Sequence, residues 1–361
     1  MPRRVHNFSA GPSTLPLEVL EDAQQELVDY AGSGMSLLEM SHRGGYYEQV
    51  HADALALVRE VGEVPDNFDV LFVQGGATLQ FAAVPANLLG DGRPAAYVLS
   101  GSWARKAFAD AERIGDAYVA WDGAPDGHTR MPAAEDLAVE PGTAYLHVTS
   151  NETIEGIRFA RFPDVGVPLA ADMSSDFFSR PVPWERFDIV YGGTQKNLGP
   201  AGMAVVVVRR AILDNAPNTF GTYLRYATHA KADSLYNTPP TFTVYMTGKV
   251  LSWIKRQGGL AAMEQRAKRK ASMIYQAIDD SDGFYSGPAE PASRSHMNVV
   301  FRLPSSTHEE DFLRRAAEVG LVNLKGHRSV GGCRASLYNA LPEAAARALA
   351  EFMTEFRLGR R

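Results

Sequence analysis

Short apolar runs alternate with helix-period segments along most of the 361 residues, the pattern of a sheet whose strands are buried on both faces by helices. Val70-Leu71-Phe72-Val73 stops at Gly75-Gly76, and Leu79 to Leu89 then reads as a helix. Ala96-Tyr97-Val98-Leu99 stops at Ser100-Gly101-Ser102-Trp103, ahead of another helical stretch. Ala144 to Val148 runs into Thr149-Ser150-Asn151-Glu152-Thr153, and Leu169-Ala170-Ala171 into Asp172. Phe187 to Tyr191 runs into Gly192-Gly193-Thr194-Gln195-Lys196, and four valines follow Met203. Ligands of open α/β sheets gather outside the carboxyl ends of the strands. Five successive strand ends here are polar or glycine-rich.

From Thr241 to about Ile278 the pattern is helical, broken at Gly258-Gly259. A smaller α+β unit follows: a strand from Met297 to Arg302, a helix from Glu309, strands Leu321 to Leu324 and Arg334 to Tyr338, and a closing helix. Thr307 and Glu310 read as a capping box, Gly320 as a helix stop and Pro342 as a first-turn proline. The expected division is a large α/β domain over residues 15–264 and a small domain over 265–361, with residues 1–14 packing against the latter.

Composition narrows the function classes. A net charge of −6 gives no electrostatic footprint for nucleic acid. No apolar run approaches the roughly 18 residues of a membrane span, and the start has arginines but no apolar stretch of a secretory signal. A single cysteine, Cys333, leaves no intrachain disulfide and no cysteine-cluster metal site. The expectation is a soluble, cytoplasmic protein with small-molecule partners.

Lys196 stands out because lysines are usually solvated and rarely lie between two such apolar runs. An amine at the end of a buried sheet suits Schiff-base chemistry, although an exposed loop lysine fits the local sequence as well. Gly75-Gly76-Ala77-Thr78 joins a strand to a helix, where backbone N–H groups can meet a phosphate or simply make a turn. It is neither a dinucleotide fingerprint nor a P-loop. Asp172 suits a pyridinium N–H, or the capping of its own turn with Ser174 and Ser175. Trp103 suits stacking on a planar ring or core packing, and Thr153 a ring hydroxyl or a turn. Ser41-His42-Arg43-Gly44 and Gly326-His327-Arg328 each join a planar anion fork to a side chain that titrates near neutrality. Asn237-Thr238-Pro239-Pro240 is a rigid polar stop before the long helix.

As an ordered set, these segments resemble the phosphoserine aminotransferases, of the fold-type I, class V pyridoxal-phosphate enzymes. The resemblance runs nearly end to end, from Asn7-Phe8-Ser9-Ala10-Gly11-Pro12 through Asn151-Glu152-Thr153-Ile154-Glu155-Gly156 and Gln195-Lys196-Asn197-Leu198-Gly199-Pro200 to Gly326-His327-Arg328. It implies a large domain with a mostly parallel, seven-stranded sheet, and pyridoxal 5′-phosphate carried on Lys196. It also implies that Asp172 meets the ring nitrogen, Trp103 the ring face and Thr153 the ring hydroxyl. Ala77, Thr78 and Gln195 would contact the cofactor phosphate, with Asn237 and Thr238 reaching it from a partner subunit, hence a homodimer with shared sites. Arg334 would clamp the substrate α-carboxylate, and His42, Arg43, His327 and Arg328 the distal anion. No metal is implied.

The implied reaction moves an amino group from L-glutamate to 3-phosphohydroxypyruvate, and the family also handles a phosphorylated four-carbon oxo acid used in pyridoxine biosynthesis. Two departures stand out: Thr78-Leu79 replaces an arginine-bearing phosphate loop of some members, and Ala10 replaces a serine. A small-substrate relative such as an alanine–glyoxylate aminotransferase, or a catalytically silent cofactor-binding protein, are the competing readings.

Overall fold

The computed structural model describes residues 4–90, 92–217 and 219–359. Seven strands form the central sheet: β1 (Phe68–Gln74), β2 (Ala95–Leu99), β3 (Ala117–Asp122), β4 (Tyr145–Thr149), β5 (Leu169–Asp172), β6 (Phe187–Gly193) and β7 (Met203–Arg209). Their spatial order is β1-β7-β6-β5-β4-β2-β3. Neighbours are parallel except at β7, which runs antiparallel between β1 and β6. This is the mostly parallel sheet that the resemblance implies.

The valine run explains why β7 can sit inside such a sheet. Val205 and Val207 face one core with Phe72 and Val190, while Val206 and Val208 face the other with Leu71 and Tyr191. All four are fully buried, each contributing about 2 kcal/mol of transfer free energy. Helices Gly45–Gly62 and Thr241–Arg256 cover the first face, and helices Gly76–Leu88 and Ser102–Ala111 the second.

A separate core surrounds the antiparallel strand pair of Asn298–Phe301 with Cys333–Ser336, enclosed by helices Gly259–Asp279, Ser306–Glu318 and Glu343–Arg357. Phe8 is buried in this core, and His6–Asn7 pairs in parallel with Leu321–Val322. Further along, the Ser13 amide donates to the Gln195 carbonyl at 2.9 Å, so the N-terminal segment also braces the lysine turn.

Several boundaries differ from those expected. The helix after β1 begins at Gly76 rather than Leu79, because Gly75 and Gly76 take positive φ and turn straight into it. The cap of Ser306–Glu318 is Ser305, whose hydroxyl accepts the His308 amide at 3.3 Å, rather than the Thr307–Glu310 box. Pro342 is the N-cap residue, with Glu343 the first helical one. Strand β3 was not anticipated. It is an edge of the sheet, and although Ala117 to Trp121 is an unbroken apolar run, only Ala120 of it is buried.

Candidate active site

Strands β4 and β5 end level, since Thr149 is the register partner of Asp172, and Asp172 in turn of Tyr191 on β6. Side chains from these tips therefore converge on a cavity of about 610 Å³. Its walls include Gly75, Gly76, Ala77, Thr78, Trp103, Thr153, Asp172, Gln195, Lys196, His327 and Arg334.

Lys196 lies in the connection from β6 to its antiparallel neighbour β7. That connection is pinned internally by the Gly199 amide on the Thr194 carbonyl at 2.8 Å and by the Thr194 hydroxyl on Pro200 and Met203 carbonyls. Asn197 ties it outward: its amide donates to the Ser175 and Phe177 carbonyls and its Oδ1 accepts from the Asn339 amide at 3.0 Å. So anchored, Lys196 turns inward. Its Nζ donates to Ser175 Oγ at 2.9 Å and Thr153 Oγ1 at 3.2 Å, and stands 5.9 Å from the Trp103 ring centroid. It is a cavity lysine, not an exposed loop lysine.

Asp172 is 5% exposed, and its Oδ1 accepts the Ser174 amide at 2.8 Å. Among the described residues no basic side chain comes within ion-pair distance of it. Burial raises its pKa, and the nearby Lys196 charge opposes that rise. The carboxyl thus caps its own turn and still presents a desolvated acceptor to the cavity, so the two readings of the sequence are compatible. A buried carboxylate of this kind calls for a cation or further donors.

Helix Gly76–Leu88 opens on the same cavity with no side-chain cap, leaving its first amides to an anion. Trp103 Nε1 is buried without a partner at the cavity wall. An aldehyde-bearing pyridine phosphate fits this donor set: an inward amine, an unpaired buried carboxylate, an aromatic wall and an open helix N-terminus. Arg334, on the strand pair of the smaller core, donates to the Thr153 carbonyl at 3.4 Å and so reaches the same rim. Among the described residues no cluster of three or more histidine, cysteine or carboxylate side chains could hold a metal.

Nine of the expected residues line the cavity: Ala77, Thr78, Trp103, Thr153, Asp172, Gln195, Lys196, His327 and Arg334. Five do not: His42, Arg43, Asn237, Thr238 and Arg328. Arg43, Asn237, Thr238 and Arg328 are exposed, His42 is half-buried, and the Thr238 carbonyl is held by Gln74 Nε2 at 2.7 Å. Ser175 is the contact that sequence reasoning missed. The hydroxyl-rich turn Met173-Ser174-Ser175 was visible as a turn, but nothing in it marked Ser175 as the partner of a lysine on the next strand's far side.

The chain belongs to the aminotransferase class-V family, whose model matches residues 5–349. It is similar throughout its length to proteins of one specificity. A phosphoserine aminotransferase of Lysinibacillus sphaericus is 50% identical over 357 residues, 99% of each chain. The solved phosphoserine aminotransferase of Bacillus circulans subsp. alkalophilus superposes with a TM-score of 0.97 at 50% identity, covering 99% of both chains. A phosphoserine aminotransferase of Trichomonas vaginalis, solved with pyridoxal phosphate bound, reaches a TM-score of 0.93 at 39% identity over 98% of this chain and 100% of that one.

Proposed function

We propose that this chain is a pyridoxal-phosphate-dependent transaminase that moves the amino group of L-glutamate to 3-phosphohydroxypyruvate, giving 2-oxoglutarate and O-phospho-L-serine, a step of serine biosynthesis. The carrying observation is the inward Lys196 amine, held by Thr153 and Ser175 in a cavity that also receives the unpaired, buried Asp172. Full-length likeness to phosphoserine aminotransferases selects the substrates.

Pyridoxal 5′-phosphate, when bound, supplies a covalent carbonyl for the amino group and an electron sink for charge developing at the substrate Cα. The residues supply the rest. Lys196 would anchor the cofactor and, once freed by the incoming amine, its Nζ would take the proton from the glutamate Cα and pass it to the cofactor's former carbonyl carbon, reversing that transfer onto the Cα of the product amino acid in the second half-reaction. Thr153 and Ser175 hold that amine in place between transfers. Asp172 would keep a proton on the ring nitrogen, Trp103 would bound the ring face, and Thr153 would serve the ring hydroxyl. The amides of Ala77 and Thr78, the Thr78 hydroxyl and Gln195 receive the phosphate, since no arginine stands in that loop.

Arg334 takes the substrate α-carboxylate with its planar fork, and His327, held below its ordinary pKa by burial and by the Arg334, Arg328 and Lys106 charges, extends the rim toward the distal anion as a hydrogen-bonding group. His42, Arg43, Arg328, Asn237 and Thr238 lie outside the cavity of one chain. A homodimer in which a second copy brings His42, Arg43, Asn237 and Thr238 to the rim accounts for four of these, and Arg328 follows the cavity-lining His327 on its own chain. One pocket then serves both a carboxylate and a phosphate. Loaded protein should form 2-oxoglutarate from glutamate with 3-phosphohydroxypyruvate, far faster than with glyoxylate. Equal or greater turnover with glyoxylate would overturn the substrate assignment, and no turnover with either acceptor would overturn the activity.

A further inference from the structure

Two helices present their N-termini to the cavity, and they are treated in opposite ways. Helix Gly76–Leu88 is left uncapped. Helix Ser102–Ala111, which carries Trp103 in its first turn, is closed by two carboxylates from the turn 152–155. Glu152 Oε1 accepts the Ala104 amide and the Ser100 hydroxyl, each at 3.1 Å, and its Oε2 accepts the Trp103 amide at 3.3 Å. Glu155 Oε1 accepts both the amide and the hydroxyl of Ser102, at 2.9 and 2.7 Å. The two carboxyl groups meet over Gly101, where a Cβ would lie 2.7 Å from either carboxyl carbon.

Glu152 is fully buried, and Glu155 Oε2 is buried without a partner. Burial, and then the Glu155 charge, push the Glu152 carboxyl well above the usual carboxylate range. The same turn receives Arg334, whose guanidinium donates to the Thr153 carbonyl between the two glutamates. Glu155 acts electrostatically on Arg334, after burial and Tyr338, and on His327, which Arg334, Arg328 and Lys106 shift in the opposite sense. No residue so far given a role in the chemistry explains why two carboxyl groups are spent here.

We propose that Glu152 and Glu155 are positioning residues of the transamination: together they fix the first turn that holds Trp103 against the ring, and Glu155 orients Arg334 toward the substrate carboxylate. The proposal rests on the transaminase reading. By filling this helix N-terminus with carboxyl groups, the pair also leaves the Gly76 N-terminus as the open one for the cofactor phosphate.

The test uses the loaded enzyme and two readouts. In Glu152→Ala, hydrogen exchange at the amides of Ser102, Trp103 and Ala104 should quicken about five- to tenfold, the loss expected of a removed cap. Glu152→Gln, which keeps one acceptor and the shape, should show a smaller acceleration, and it carries this arm if the alanine variant does not fold. In Glu155→Gln, KM for glutamate should rise about tenfold while kcat changes less than about twofold. The exposed Glu112→Gln serves as control. Unchanged exchange in both Glu152 variants, or a Glu155→Gln KM equal to the control, would overturn the proposal. A wild-type protein without turnover would instead overturn the transaminase reading, and the exchange result would still stand or fall by itself.

Discussion

Lys196 and Ser175 are joined by a 2.9 Å hydrogen bond between residues on different strand connections, and Ser175 is itself hydrogen-bonded to Thr153. The amine is therefore held by two coupled hydroxyls, not by a carboxylate. Such neutral acceptors fix its position without trapping its charge, as a group that must give and take protons requires. Ser175→Ala should lower kcat about tenfold, with cofactor binding retained, because Thr153 alone then orients the amine. Steady-state kcat beside a cofactor titration checks this. A kcat equal to wild type would remove Ser175 from the proton path.

The phosphate loop depends on backbone shape. Gly75 has φ +89°, and a Cβ there would lie 2.9 Å from Leu79 Cβ and Cδ2. Gly75→Ala must move Leu79 or unwind the turn, at a cost of about 1–3 kcal/mol. The uncapped amides of the next helix would then be displaced, so cofactor affinity should fall about tenfold or more while the sheet stays folded. Equilibrium dialysis with pyridoxal phosphate, alongside circular dichroism, measures both.

Much of this was legible because buried parallel strands leave solid apolar runs, and the polar residues ending them collect at one edge of the sheet. Lys196, Asp172 and Thr153 were each visible as a polar group at a strand end and Trp103 as an aromatic just past one, and all four line the cavity. The edge strand β3 was not picked out, although Ala117 to Trp121 is an unbroken apolar run, of which only Ala120 is buried in the fold. Nor was Ser175, whose meaning comes only from the register that sets β5 beside β6. His42 and Asn237 could be singled out by type, but one chain's geometry leaves both away from the cavity. The misplaced cap at Thr307 has a local cause: Ser305, two residues earlier and in extended conformation, offers the same chemistry.

Cys333 is fully buried in the strand pair of the smaller core, beside Phe301 across the ladder. Burial pushes its thiol up to about 12. The thiolate is the reactive form, so the native protein should resist iodoacetamide near neutral pH, and one thiol should react after denaturation. Mass spectrometry of alkylated native and unfolded protein distinguishes the two. Rapid native alkylation would mean that this strand pair opens far more readily than its packing implies.

Lys270 offers a pH test of the joint between the helix Gly259–Asp279 and the segment that follows strand Cys333–Ser336. Its ammonium is fully buried and donates to the carbonyls of Tyr338 at 2.7 Å and Leu341 at 3.1 Å. Burial holds its pKa down to about 7. The unfolded chain keeps that proton to about 10.4, so between those values the unfolded state binds more protons than the native one. Stability should therefore rise with pH across this window, by at most about 1.4 kcal/mol per unit, and that gain is lost as pH falls toward 7. Lys270→Met removes the titration but also leaves two carbonyls unpaired, an expected loss of about 1–3 kcal/mol at any pH. The slope, not the absolute stability, is thus the readout. Urea unfolding from about pH 7 to about pH 9.5, below the range where tyrosines ionise, should give a flatter profile for the methionine variant than for wild type. Parallel profiles would show that Lys270 keeps the same protonation in both states.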